Sequence, residues 1–461
     1  MLKRYYFFLV FIVSFSINGQ NITGKWSGEL KIQKTAIPIV FNIKNTDQGY
    51  SATMDSPSQN VFNIKVDSIT FKDSIVTISI LKARIGYSGK LNDSGVFKGN
   101  FLQGNNKLPL NLKRKSVKEN LRPQEPKKPY GYRVEEVSFF NREANINLYG
   151  TLTLPKNKNK FPIVILLSGS GPQNRNEEAF GHKPFLVIAD YLTKKGIGVL
   201  RYDDRGTAKS EGNFKSANLS DFKSDAIAAI NYLKTRKNLN FTKLGIIGHS
   251  EGGTIAPMIA NSTKDVDFLV LLAGTILQGD EILLIQQQIA GKEAGASEEV
   301  LKKSKAISKG AYELIHSVKP INLKKELTTY IQKVLLDNPD GKSPNNEKSE
   351  FIKKQVARLM NPWMLSFVKY NPIDEYLKLT IPVFALFGSN DVQVTAKENI
   401  KAIKTIKERF SDSKIIFKQY KDLNHLFQES VTGSPKEYSK ITQTISPFVL
   451  SDISQFILNL K

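Results

Sequence analysis

The chain has 461 residues, 40% hydrophobic and 24% charged, a soluble globular composition too long for a single small domain. It contains no cysteine, which excludes disulfides, a thiol nucleophile, a thiolate metal site and a lipid anchor on an amino-terminal cysteine. The net charge of +23 comes from lysines and arginines spread along the whole chain, so it reads as solvated surface with weak affinity for an anionic envelope surface, not as a nucleic-acid stripe.

Lys3 and Arg4 precede an apolar run, 5–13, and a small-residue exit, "SINGQ". This is the layout of a signal peptide over 1–19, and the run is well short of the roughly 20 residues that span a bilayer. Export to a periplasmic or extracellular location, without lipid anchoring, is the expectation. Residues 20–113 read as β throughout. The runs "IPIVFNI", "VFNIKV", "SIVTISIL" and "GVFKGNFL" are separated by "NTDQG", "DSPSQN" and "NDSG" turns, which predicts a small antiparallel barrel or sandwich. Its opening, Gly24-Lys25-Trp26, resembles the G-x-W start of lipocalin-type barrels. A Lys/Pro-rich stretch follows, and its low apolar content predicts a linker over 114–133.

From residue 134 to 461 strands alternate with helices, the signature of an α/β domain. The candidate strands are "VEEVSFFN", "INLYGTLTL", "IVILLSG", "IGVLRYD", "KLGIIGH", "FLVLLAG", "PVFALFG" and "KIIFKQY". Several are continuous Val/Ile/Leu runs, as in strands buried on both faces, which predicts a mostly parallel eight-stranded sheet with helices on both faces. Residues 276–376, between the sixth and seventh of these strands, have helical patterning only and are predicted to form a cap.

The stretch "LGIIGHSEGGTIA" places Gly-x-Ser-x-Gly between a buried strand and a helix, the arrangement of a nucleophile elbow. Gly248 and Gly252 remove side chains that would collide in so tight a turn, and Ser250 is left exposed at the carboxyl end of the sheet. A serine nucleophile needs a base, and the base needs an orienting acid. Of four histidines, His249 adjoins the serine, His182 lies early and His316 sits in the cap. His425, in "KDLNHLF" after the last strand, remains as the base. Asp391 ends the preceding strand and is the candidate acid, with Asp422 and Asp374 as substitutes away from a strand's carboxyl end. The order Ser, Asp, His is that of the α/β-hydrolases. A tetrahedral intermediate also needs backbone donors, and the N–H groups of Ser170 and Glu251 are the candidates.

With these motifs in place, residues 130–461 resemble bacterial α/β-hydrolases of the esterase D type, a serine carboxylesterase branch related to the acyl-thioester hydrolases. The stretches that carry the resemblance are "GTLTLP", "SGSGPQNRNE", "GHKPFLVIADYLTKKGIGVLRYDDRGTAKSEG", "GHSEGG", "NPWMLSFVKYNP", "FGSNDVQV" and "NHLFQ". The family's serine, aspartate and histidine fall on Ser250, Asp391 and His425. The chain departs from the branch at Asn174 and Asn176, where aspartates are usual. "RYDDRG", 201–206, reads as a structural turn.

The resulting expectation is hydrolysis of a small-molecule ester of short to medium acyl chain through an acyl-enzyme, with no cofactor and no metal. In the cap, Trp363, Met364 and Phe367 are the candidate pocket residues. A serine aminopeptidase or an acyl-thioesterase would use the same three residues, and a non-catalytic lipid or glycan carrier built on the β domain is the alternative of another class. No H-E-x-x-H, Walker-type or G-x-G-x-x-G motif is present.

Overall fold

The computed structural model describes residues 21–460 apart from 33–34, 48, 57–60, 105, 115–121, 157–158 and 338–344. The expected signal peptide lies outside the described residues. Two compact units divide the chain, Met1–Asn120 and Leu121–Lys461.

In the first unit the alternating runs form one antiparallel sheet of β1 (Gly24–Ile32), β2 (Thr35–Thr46), β3 (Gly49–Ser56), β4 (Val61–Lys65), β5 (Ser68–Lys72), β6 (Ile75–Ile80), β7 (Ile85–Leu91), β8 (Val96–Gln103) and β9 (Asn106–Arg114). Their order is β4-β3-β2-β1-β9-β8-β7-β6-β5, and β5 comes back toward β3, so the sheet curls into a half-barrel. Side chains alternate across it: Val76, Ile78 and Ile80 are buried while Ile75 and Thr77 face water. Trp26 is buried, packs at a tilt against Phe97 with ring centroids 4.4 Å apart, and donates its indole N–H to the Ile22 carbonyl at 2.7 Å. With Phe41, Tyr87 and Phe101 it packs the inside of the sheet.

The second unit carries eight strands: β10 (Arg133–Asn141), β11 (Ile146–Leu154), β12 (Phe161–Leu167), β13 (Gly198–Tyr202), β14 (Phe241–His249), β15 (Phe268–Leu272), β16 (Val383–Gly388) and β17 (Ile415–Tyr420). They lie in the order β10-β11-β13-β12-β14-β15-β16-β17. The sheet is mixed: five of its seven neighbouring pairs are parallel, and the two at the β10 edge are antiparallel, a reversal that the continuous apolar runs did not signal. A four-residue turn joins β10 to β11, and so short a link permits only antiparallel pairing; β11 then also runs antiparallel to β13. From β13 to β17 every neighbouring pair is parallel. Helices α1 (Pro184–Lys194), α2 (Leu219–Thr235), α3 (Glu251–Ser262) and, after the cap, α10 (Ala396–Arg409) provide crossovers, and after the short α11 (Pro435–Tyr438) the chain ends in α12 (Pro447–Asn459). The chain leaves β12 toward β13 on one side and reaches β14 on the other. This reversal of strand order opens a crevice at the strands' carboxyl ends.

Between β15 and β16 stand six helices, α4 (Gly279–Glu293), α5 (Glu298–Ser317), α6 (Pro320–Leu336), α7 (Asn345–Leu359), α8 (Pro362–Lys369) and α9 (Pro372–Tyr376). The amphipathic faces of α5 and α6 bury Ala311, Ile315, Leu323 and Leu327 against Val356 and Val368, a core separate from that of the sheet.

The linker expected over 114–133 is shorter than its composition suggests. Arg122 donates to the carbonyls of Phe180, Gly181, Ser439 and Ile441 at 2.6–3.2 Å. The Gln124 side chain accepts from Thr444 N–H and donates to the Ile445 carbonyl, and Glu125 pairs with Lys183 at 3.0 Å. The segment is polar because it is held by hydrogen bonds instead of apolar burial. Removing Arg122 as Ala leaves four carbonyls short of a charged donor and is expected to cost about 2 kcal/mol of unfolding free energy. Urea unfolding checks this: the midpoint falls with an unchanged slope, whereas an unmoved midpoint returns the segment to linker status.

Candidate active site

Strand β14 runs straight into Ser250, whose φ of 52° and ψ of −115° lie outside the conformations usual for a residue with a side chain. Such a backbone costs about 1–3 kcal/mol and persists because its surroundings allow no other path. A β-carbon on Gly248 would lie 2.3 Å from the Gly252 carbonyl oxygen, and one on Gly252 would lie 2.2 Å from the Leu167 oxygen of β12. The Ser250 N–H donates to the Leu272 carbonyl at the end of β15, 2.8 Å away, which ties the turn to the neighbouring strand. Helix α3 begins at the next residue, so Ser250 sits at a helix amino terminus, where negative charge is favoured.

Asp391 follows β16 and is buried. Its Oδ1 accepts from the N–H groups of Gln393 and Val394, both at 2.8 Å, and its Oδ2 faces His425 Nδ1 at 2.8 Å. His425 lies in the loop after β17, shaped by Asn424, whose Oδ1 accepts from the N–H groups of Leu426 and Gln428 at 3.0 Å. The His425 ring centroid is 4.8 Å from that of His249, the residue before Ser250. Asp391 and His425 are therefore brought together beside the elbow. Asp422 and Asp374 are exposed and stand apart from this arrangement. His182 is buried among Thr444, Tyr438 and Gln428, and burial pushes it down to about 4; His316 meets Asp280 in the cap.

Two residues that sequence reasoning passed over complete the corner. His249 points away from Ser250's side chain, as steric reasoning requires, but not into bulk protein. Its Nδ1 meets Glu177 Oε1 at 2.8 Å, and its Nε2 meets the carbonyl oxygen of His425 at 3.0 Å. A carboxylate and a carbonyl both accept, so the two contacts favour the ring in its doubly protonated form. Burial alone would lower its pKa, yet the Glu177 carboxylate and the His425 carbonyl raise it above the ordinary value. Glu177 Oε1 also accepts from the N–H of Gly169 at 2.7 Å. One carboxylate thus connects the loop holding Ser170, the elbow and the loop holding His425. Its only trace in the sequence is its place in "PQNRNE".

The same loop is held from below by the "RYDDRG" turn. Asp204 accepts from Ser168 Oγ at 2.8 Å and Gln173 N–H at 2.9 Å, while Asp203 pairs with Arg175 at 2.7 Å. Asn176 Oδ1 accepts from the buried Arg201 guanidinium, so asparagine at this departure from the related branch is still wired into the loop.

A cleft at Ser250 is lined by Ser170, Glu251, Thr254, Ile282, Trp363 and Phe367 among others. Trp363 and Phe367 stack with centroids 4.9 Å apart. Met364, predicted beside them, faces the other way, into the interior of the cap, because one residue of helix turns the side chain by about 100°. The Glu251 side chain is buried and accepts from Trp363 Nε1. Burial pushes its carboxyl up to about 7, and the indole hydrogen bond only partly offsets this.

Glu251 and His249 both bind protons more tightly folded than unfolded, so each adds stability at low pH that is lost as pH rises. Glu251 loses its share between its unfolded value near 4.5 and about 7, at about 1.4 kcal/mol per unit of separation. The loss for His249 begins at about 6.5 and extends to its higher folded value. Glu251→Gln keeps an acceptor for Trp363 and is expected to lessen the fall in unfolding free energy between pH 5 and 7, leaving the part due to buried Asp204, whose carboxyl is also raised, and the fall above pH 7. Denaturant melts of both proteins across this range decide it: parallel curves would mean that Glu251 does not titrate there.

Residues 183–427 match the family model described as serine aminopeptidase, S33. Esterase EstD of Thermotoga maritima is 28% identical over 311 residues, covering 67% of this chain and 65% of that protein. An acyl transferase of Shewanella woodyi is 31% identical over 125 residues, 27% of this chain and 38% of that one. The chain therefore spans less than two thirds of the length of these relatives. Among solved structures, an esterase from Pyrococcus furiosus aligns over 71% of this chain and 92% of its own at 16% identity and a TM-score of 0.41. Est1E from Butyrivibrio proteoclasticus with ferulic acid bound aligns over 70% and 98% at 16% identity and 0.40. With its matched region covering more than half of its length, the chain belongs to the serine aminopeptidase S33 family of α/β-hydrolases.

Proposed function

We propose that the chain hydrolyses carboxylic esters of short to medium acyl chain through an acyl-enzyme. The observation that carries this is the elbow serine beside a histidine whose Nδ1 meets a buried aspartate at 2.8 Å. With Nδ1 so engaged, His425 Nε2 is the nitrogen left to take the Ser250 proton as Oγ attacks the ester carbonyl. Asp391, held by two backbone N–H groups, stabilises the imidazolium that forms. The N–H groups of Ser170 and Glu251 receive the oxyanion. His425 then hands the proton to the leaving alcohol, and a water it activates releases the acid. The likeness to Esterase EstD supports an ester over other acyl compounds.

The aminopeptidase reading requires a carboxylate facing a substrate's free amine. In the cleft the carboxylate among the described lining residues is Glu251, which is engaged by Trp363 and driven toward its neutral form. That favours the ester. We also propose export through residues 1–19, on the charge and apolar pattern there.

Ser250→Ala or His425→Ala is expected to lower kcat on p-nitrophenyl butyrate by about a million-fold, and Asp391→Asn by about ten-thousand-fold. Faster turnover of aminoacyl anilides than of the butyrate would replace the ester reading with the peptidase one. Full esterase activity in Ser250→Ala would end both.

A further inference from the structure

Lysines that lie far apart in the sequence of the first unit come together on one face of its sheet. Each strand of the half-barrel turns its apolar residues inward, so the alternate positions stand on the convex side. There Lys44 of β2, Lys25 of β1, Lys113 of β9, Lys98 of β8 and Lys90 of β7 are all exposed, one on each of five strands that are neighbours in the sheet. The registers make them a band. Lys90 and Lys98 face each other directly. Lys113 faces Val96 on one side and Ser27 on the other, two residues from Lys98 and Lys25 respectively, and Lys25 faces Asn42, two residues from Lys44. Directly opposed residues lie about 5 Å apart and diagonal ones about 7–8 Å, so the band carries one positive charge per strand at a nearly even interval. Beyond one intervening strand at each end, Lys65 faces Thr53 of β3 and Lys72 faces Ile75 of β6, which prolongs the band.

Neither of the usual reasons for lysine in a strand applies. Edge strands carry lysines that block pairing with other sheets, but these five strands lie in the middle of the order, and its edges are β4 and β5. Ion pairing within the sheet is absent as well. The carboxylates on the outer strand positions are Glu29 and Asp55, and Asp55 accepts from Asn42 Nδ2 and the Asn63 N–H, both at 2.8 Å. Among the described residues neither has a lysine within 4.0 Å. A lysine directly opposite a lysine destabilises a sheet, and a bound anion would offset that repulsion.

We propose that the convex face of the half-barrel binds a linear anionic polysaccharide, whose successive negative charges meet Lys90, Lys98, Lys113, Lys25 and Lys44. Ser88, Asn100, Asn111 and Ser27 stand beside these lysines and offer hydroxyl and amide groups to the hydroxyls of a sugar. No aromatic side chain occupies an outer strand position among the described residues, which leaves nothing for nucleobases to stack on. A flat bilayer touches only part of a convex face, whereas a flexible chain follows its curve. Lysine suits this role, since a hydrated point charge on a long stem meets an anion without demanding a planar partner. The surface is independent of the ester-hydrolase reading.

Binding is tested on the full chain with de-esterified polygalacturonate, by titration calorimetry between about 50 and 200 mM salt. The native protein should bind it, with log K falling linearly against log salt concentration, and should not bind uncharged dextran. The triple substitution Lys90→Gln, Lys98→Gln and Lys113→Gln should weaken binding about tenfold at the lower salt and lessen the slope by about two, at roughly 0.7 per lysine as for single-stranded polyanions. Because it removes a like-charge pair, this variant should melt no lower than its parent. Should it melt lower, the pair Lys25→Gln and Lys44→Gln serves instead, with a slope loss of about 1.4 on the same reckoning. A control with Lys302→Gln, Lys303→Gln and Lys305→Gln, exposed lysines of α5, changes the net charge equally and should leave affinity and slope unchanged. An equal loss in the control makes net charge the cause and overturns the proposal. So does a native chain that ignores polygalacturonate, or a folded band variant that binds it like the parent. Tighter binding of a thymidine oligonucleotide of equal charge overturns the polysaccharide in favour of nucleic acid, and binding of phosphatidylglycerol vesicles without polygalacturonate overturns it in favour of a membrane.

Discussion

The backbone of Ser250 sits where only the absence of neighbouring β-carbons allows it. Gly248 and Gly252 approach each other and β12 so closely that any larger residue would drive strand and helix apart. The closeness sets the direction in which the serine points, its height above the sheet and the proximity of β12's following loop. Every other part of the site is arranged around a side chain whose position is settled by sterics before any hydrogen bond is made.

Around that point the polar wiring is economical. Glu177 accepts from Gly169 and from His249, and His249 in turn reaches the His425 carbonyl, so one buried ion pair spans three loops that arrive from different strands. Two buried charges are costly to desolvate, and such a pair gives little stability compared with apolar side chains of the same volume. What it provides is geometry. The imidazolium can donate in two directions at once, which no apolar group and no neutral imidazole could do. Asp203 and Asp204 hold the loop before α1 from the sheet side, and Arg122 gathers Phe180, Gly181, Ser439 and Ile441 on the other.

The cap follows a different logic. Its helices have a core of their own and meet the sheet domain through α4, α8 and α9, where Trp363 links to Glu251, Tyr370 donates to the Thr254 carbonyl and Glu375 accepts from Asn261. Helix α8 divides its apolar residues between two spaces, Trp363 and Phe367 toward Ser250 and Met364 toward the cap interior. Lining of the cleft and packing of the cap interior thus fall on opposite faces of two turns of helix.

The sequence by itself determined what depends on neighbours in the chain. Alternation and continuous apolar runs located all the strands of the second unit, and the glycine spacing around Ser250 announced a turn that sterics make nearly compulsory. With four histidines, elimination led to His425, and strand-end position led to Asp391. The tertiary structure decided what depends on distant residues. Glu177 lies 72 residues from His249, and His249 lies 176 from His425, so no periodicity or local motif could couple them. The polar stretch around Arg122 read as a linker because its partners lie up to 321 residues away. The reversal of β11 came from a turn too short for a crossover, a length visible in the sequence but outweighed there by the parallel pattern that follows. Local sterics and hydrophobic periodicity are written in consecutive residues; the pairing of buried charges is settled only when the chain has closed.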